Sequence, residues 1–178
     1  MSEAWPWGRA LTWPEVAHAG ERRLSLIAGP EERAAVARAL DLVDLTCLQA
    51  NLVVRPWLDG LEIEGRVDAR ATRICGVSLD PFEVDIDEPL RIRVLPPGSP
   101  NAPRADSHEI TVDLDAEDPP DEADGDVVDL GAYVVETLAL ALDPFPRKPG
   151  AVFEAPEEKP SISPFAALAR LSGRPLSE

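Results

Sequence analysis

Residues 61–95 read LEIEGRVDARATRICGVSLDPFEVDIDEPLRIRVL, and the alternation of polar and apolar residues keeps a period of two. Leu61, Ile63, Val67, Ala69, Ala71 and Cys75 share one parity, while Glu62, Glu64, Arg66, Asp68, Arg70 and Thr72 take the other. Such alternation marks a strand with one face in a core and one in water. After a break at Ser78–Pro81 it resumes, with Phe82, Val84 and Ile86 inward and Glu83, Asp85 and Asp87 outward. Pro89 cannot donate to a ladder, so a turn is expected near Asp87-Glu88-Pro89. The chain would return with Leu90, Ile92 and Val94 inward and Arg91 and Arg93 outward. Acidic residues on one arm would then face arginines on the other, each pair worth roughly 0.2–1 kcal/mol. The result is an antiparallel meander whose apolar face must be covered.

Upstream, Leu48–Leu58 reads as a strand joined to the meander through Asp59-Gly60, a strong hairpin signal. Pro56 makes it an edge or bulged strand. Arg23–Ala28 is a further short strand, stopped by Gly29-Pro30. Pro30, with Glu31 and Glu32 in the first turn, opens a helix running to about Leu42. Met1–Glu21 carries Trp5, Trp7 and Trp13 without a clean period and reads as an arm whose tryptophans pack on the body.

Downstream, residues 96–125 are proline-rich and acidic; His108–Leu114 is the one short strand expected there, and the remainder reads as solvated loop. DLGAYVVETLALALD, Asp129–Asp143, is the best helix. Asp129 is typed as its N-cap, Asp143-Pro144 ends it, and its nearly continuous apolar surface makes it the cover for the meander. Within it, Tyr133 is expected to pack and Glu136 to face water. Ser163-Pro164 begins a last short helix, with Phe165, Leu168 and Leu171 as its stripe. The fold class expected is therefore α+β: an antiparallel, barrel-like sheet from segments 23–28, 48–58, 61–75, 82–86 and 90–95, covered by helix 129–142, plus a long acidic loop. The division expected is an arm (1–21), a strand-helix-strand and meander unit (22–95), an acidic loop (96–128), and a helix and tail (129–178) packing on 22–95 as one domain.

The chain has 178 residues, 44% of them hydrophobic, with 19 prolines and a net charge of -16. No apolar run of transmembrane length and no leader-like start occur, so a cytoplasmic protein without membrane contact is expected. Cys47 and Cys75 read as reduced, buried thiols. Asp113–Asp129 holds nine of the 33 acidic residues and none of the 17 basic ones. A field of that sign repels phosphate backbones and attracts basic proteins, which disfavours direct nucleic-acid binding.

No catalytic constellation emerges. His18 and His108 have no motif around them, and phosphate loop, dinucleotide fingerprint, nucleophile elbow and metal-ligand spacings are missing. Asp113, Asp115 and Glu117 alternate as calcium ligands do, but Asp118 stands where the loop glycine belongs and no bidentate glutamate follows. No enzyme, cofactor or small-molecule substrate is expected; a hydrolase with an unrecognised site is the remote alternative.

Four pieces in order resemble the YceD family, the large ribosomal RNA subunit accumulation proteins. They are a strand followed by EERAAVARALDL; the meander centred on RICGVSLDPFEVDIDEPLRIRVLP; the acidic stretch closing on DVVDLGAYVVETLALALDPFPRKPG; and the tail SPFAALARL. Cys75, Pro81, Asp129, Leu130, Gly131, Pro164 and Phe165 are the structural positions within them. The resemblance implies a non-enzymatic part in accumulation of large-subunit ribosomal RNA. It also implies a zinc site in many relatives, from a Cys-x-x-Cys at the first motif and a second cluster after the long helix. Here Ser78 takes the second position and Arg147-Lys148-Pro149-Gly150 the place of the second cluster, so no metal is expected.

The partner expected is a basic ribosomal protein or a large-subunit assembly intermediate, met through Asp115, Glu117, Asp118, Asp121, Glu122 and Asp124. Should those residues be only solvated, the contact would lie on the sheet near Arg70, Arg73, Arg91 and Arg93. The competing class is an acidic interaction module or adaptor unrelated to ribosomes.

Overall fold

Leu58 and Asp59 form the tightest turn of the sheet, with Trp57 and Gly60 paired across it. The glycine is not the turn residue, since Leu58 takes the positive φ of 53°. A Cβ at Gly60 would lie 2.1 Å from the Val94 carbonyl oxygen, so the close approach of the next strand is what demands glycine.

The structure, a computed structural model, describes residues 7–13, 15, 20–102 and 118–153. Within them the elements are β1 (Ala10–Thr12), β2 (Arg22–Ile27), α1 (Pro30–Ala39), β3 (Asp44–Trp57), β4 (Gly60–Ile74), β5 (Pro81–Leu95), β6 (Asp121–Glu122), β7 (Val127–Asp129) and α2 (Leu130–Ala141). Five strands form one sheet in the order β2-β3-β4-β5-β6, and β1 pairs with β7 in a second. All contacts are antiparallel except β5–β6. The fold is α+β.

Two expectations are corrected. Among the described residues no barrel closes: β2 pairs only with β3, and β6 pairs with β5 only at Val94 and Leu95. Pro119 and Pro120, which have no N–H to donate, stop β6 from extending further back along β5. Nor is there a turn at Asp87-Glu88-Pro89, because β5 runs unbroken from Pro81 to Leu95 against β4, with Pro89 opposite Arg66. The Leu95 carbonyl, pointing away from β4, accepts from Ala123 N–H at 2.9 Å. Pro89 has the same parity, so its missing donor falls on that outer side and costs the β4 ladder nothing. The acidic residues of β5 therefore face β4, not the arginines of their own strand.

The inward residues follow the expected parity. Leu61, Ile63, Val67, Ala69 and Ala71 of β4 meet Ile86, Leu90 and Val94 of β5 and Leu48, Ala50, Leu52 and Val54 of β3, all buried. Burying each large aliphatic side chain is worth about 1.5–3 kcal/mol. Against this face α1 sets Val36 and Ala37, and α2 sets Leu130, Val134, Val135 and Leu138. α1 ends at Ala39, short of Leu42, and begins as expected, with Gly29 N–H donating to Glu32 Oε2 at 2.7 Å.

The start of α2 is fastened by the N-terminal residues. Asp129 Oδ1 accepts from Gly131 N–H at 3.0 Å, Ala132 N–H at 3.3 Å and Arg9 N–H at 2.7 Å. Trp7 is fully buried there, and a Cβ at Gly131 would come within 2.1 Å of its carbonyl oxygen. Trp13 donates its Nε1–H to the Gly125 carbonyl at 3.2 Å. Trp5, the strand expected at His108–Leu114, and the last helix with Pro164 and Phe165 lie outside the described residues.

Candidate functional site

α2 has two faces. Leu130, Val134, Val135 and Leu138 enter the core, whereas Tyr133, Glu136, Thr137, Leu140 and Ala141, at helical spacing, form the wall of a groove of about 960 Å³. Its other side is β5 from Glu88 to Arg93, and Asp118, Pro119 and Asp121 also line it. The wall mixes apolar and polar side chains, with Leu140 81% exposed, and the lining sets Glu88, Asp118, Asp121 and Glu136 against Arg91 and Arg93. Burial, with the Asp121 carboxylate beside it, pushes the Tyr133 hydroxyl well above its ordinary value and keeps it neutral.

The acidic residues expected to meet a partner divide. Asp118 and Asp121 line the groove. Glu122 accepts from Gly98 N–H at 2.7 Å and so also ties down the loop after β5. Asp124 is exposed. Asp115 and Glu117 lie outside the described residues.

The four arginines named on the sheet are each engaged by an acceptor of this chain. Arg70 meets Asp85 at 2.5 Å, and Arg73 donates to the Asp143 carbonyl. Arg91 and Arg93 both reach Glu62, at 3.2 and 3.1 Å, and Arg91 also reaches Glu64 at 3.1 Å. Arg55 completes the cluster on Glu62 at 2.8 Å, and Arg93 lies 4.8 Å from the centre of the Trp57 ring. Glu62 is only 4% exposed, although it sits on the polar parity of β4. Burial pushes its carboxyl up, but hydrogen bonds from Arg55, Arg93 and Arg91 outweigh that and hold it below the usual carboxylate range. Sequence reasoning missed Glu62 as a centre; its only signal was its place between Arg55 and Arg93, visible once register is known.

The Cys75 turn is a third constellation. Its Sγ accepts N–H groups from Val77 and Ser78, both at 3.4 Å, and from Lys148 at 3.3 Å. Gly76 N–H donates to the Pro146 carbonyl at 2.8 Å, and Lys148 Nζ lies 3.5 Å from Asp80. The Ser78 hydroxyl, then the Ser78 and Lys148 N–H groups, lower the thiol to about 6 against its burial. The two segments where relatives would place metal ligands thus do meet. They do not fit zinc: donors converge on a single sulfur, Lys148 occupies the opposite side, and a structural site wants four ligands. Among the described residues no group of three His, Cys, Asp or Glu side chains is placed to hold a metal ion, and no helix is long and apolar enough to cross a membrane.

The fold is thus an open α+β sheet with a charge-paired outer face and a groove between α2 and β5. Residues 63–172 match the family described as large ribosomal RNA subunit accumulation protein YceD, and the chain belongs to that family. The family description implies a role in accumulation of large-subunit ribosomal RNA and names no reaction. Three of the four resembling pieces fall inside the match; the strand and EERAAVARALDL precede it. No curated protein and no solved structure matches the chain.

Proposed function

We propose that this protein supports 23S ribosomal RNA accumulation without catalysing a reaction, by binding a basic ribosomal protein or a protein-bearing intermediate of the large subunit. The observation that carries the reading is the contrast in charge. Arginines on the sheet are met by acceptors of their own chain, which leaves little for a phosphate backbone. The groove, by contrast, sets Glu88, Asp118, Asp121 and Glu136 against Arg91 and Arg93, both already held by Glu62, so its lining carries an excess of negative charge. Such a field accelerates encounter with a cationic protein and weakens as salt rises.

The test is to change Asp115, Glu117, Asp118, Asp121 and Asp124 to Asn or Gln and follow the protein through a sedimentation gradient of cell extract. Parent protein should travel with large-subunit precursors and the variant should not, while thermal stability stays within about 0.5 kcal/mol of parent. A parent that stays at the top of the gradient, away from all ribosomal particles, would instead support an adaptor unrelated to ribosomes.

A further inference from the structure

Resting on that reading, we propose that the groove between α2 and β5 is the docking site itself and that its occupant is an extended, lysine- or arginine-rich segment of the partner with apolar side chains between its cations. Three observations support this occupant. The exposed Leu140, beside the half-buried Tyr133, gives the groove an apolar point of attachment on a helix whose opposite face is committed to the core. Glu88, Asp118, Asp121 and Glu136 place carboxylates along it, and the two arginines that line it are held by Glu62. The lining, one strand segment against one helix face around a volume of about 960 Å³, suits a single extended chain. An apolar side chain anchored on Leu140 would fix position, and cations on the acidic rim would set sign and rate. A phosphate backbone meets the same carboxylates as repulsion.

The test uses the full chain and labelled short peptides of alternating lysine and leucine, lysine and serine, and glutamate and leucine. The lysine–leucine peptide should bind best and the glutamate–leucine peptide not at all. Leu140→Ser should weaken the first by about ten-fold or more and leave the weaker lysine–serine binding unchanged, since only the anchor is lost. Asp121→Lys with Glu136→Lys should abolish binding of both cationic peptides. Glu83→Lys with Glu31→Lys, equal in charge and away from the groove, should not. If the two double variants lose binding equally, attraction is diffuse and the docking site is refuted. If groove variants lose the peptide but still sediment with large-subunit precursors, the ribosomal contact lies elsewhere and the proposal fails, while the functional reading stands. Peptide binding by a parent that never meets ribosomal particles would overturn the functional reading instead.

Discussion

On the outer face of β4, Glu62 lies in register between Arg55 and Arg93, and Arg66 and Arg70 reach Asp87 and Asp85 at 2.7 and 2.5 Å. Between Asp118 and Asp129 there are six acidic residues and no basic one. Both regions are densely charged, yet in the first the charges belong to the fold and in the second most are directed outward. What separates them is strand register, which brings opposite charges opposite each other on the sheet. Density of charge by itself says little; the partner across the ladder decides.

The strongest way to break this contrast is at Glu62. Removing it as Glu62→Ala leaves three guanidiniums facing one another, an expected loss of about 2–3 kcal/mol in denaturant unfolding; a fully buried pair would cost more, but these arginines keep some solvent. Because the folded carboxyl is held below its ordinary 4.5, its contribution is fully present above that pH and is lost as pH falls through the lower folded value. The stability gap between parent and Glu62→Gln should therefore be flat from neutrality to 4.5 and shrink below it. A gap unchanged by acid would place the effect in packing.

Asp129 is the exception within the acidic stretch. Its carboxylate serves three N–H groups, so Asp129→Ala should cost about 1–2 kcal/mol, where Asp124→Ala should move thermal unfolding hardly at all. Equal losses at the two positions would erase the distinction between structural and outward-directed acids.

Arg70 and Asp85 sharpen the comparison from the other side. Both side chains are more than half exposed, so Asp85→Asn should move thermal unfolding only slightly, and less again in high salt. Smallest of all is metal removal. With one sulfur satisfied by N–H donors, chelator should leave the melting temperature unmoved and elemental analysis should find no stoichiometric zinc; one equivalent would show the Cys75 turn to be misread.

The alternation in residues 61–95 made the sheet's inward residues legible, and the residue types at Asp129 and Pro30 made both helix starts so, because these signals are local. Register is not local, and beyond the hairpin at Asp59-Gly60 what depended on it was missed. Pro89 suggested a turn because its side of the ladder could not be known. Glu62 resembled its exposed neighbours until Arg55 and Arg93 were seen to converge on it. β6 and β7 are too short and too acidic or too plain to carry a period, and the meeting of Cys75 with Lys148 spans 73 positions. The groove was hidden for the same reason: the apolar surface of α2 marked it as a cover for the meander, but Leu140 is left exposed in the groove.

The bond from Arg9 N–H to Asp129 joins positions 120 apart. β2 to β5 pair with sequence neighbours and can form as the chain emerges from synthesis, whereas β1 must wait for β7 and α2 before it has anywhere to go. Until then Trp7 has no burial site and the wall of the groove does not exist. A nascent chain of this protein would accordingly hold a formed sheet before Trp7 is buried and before the groove has its second side.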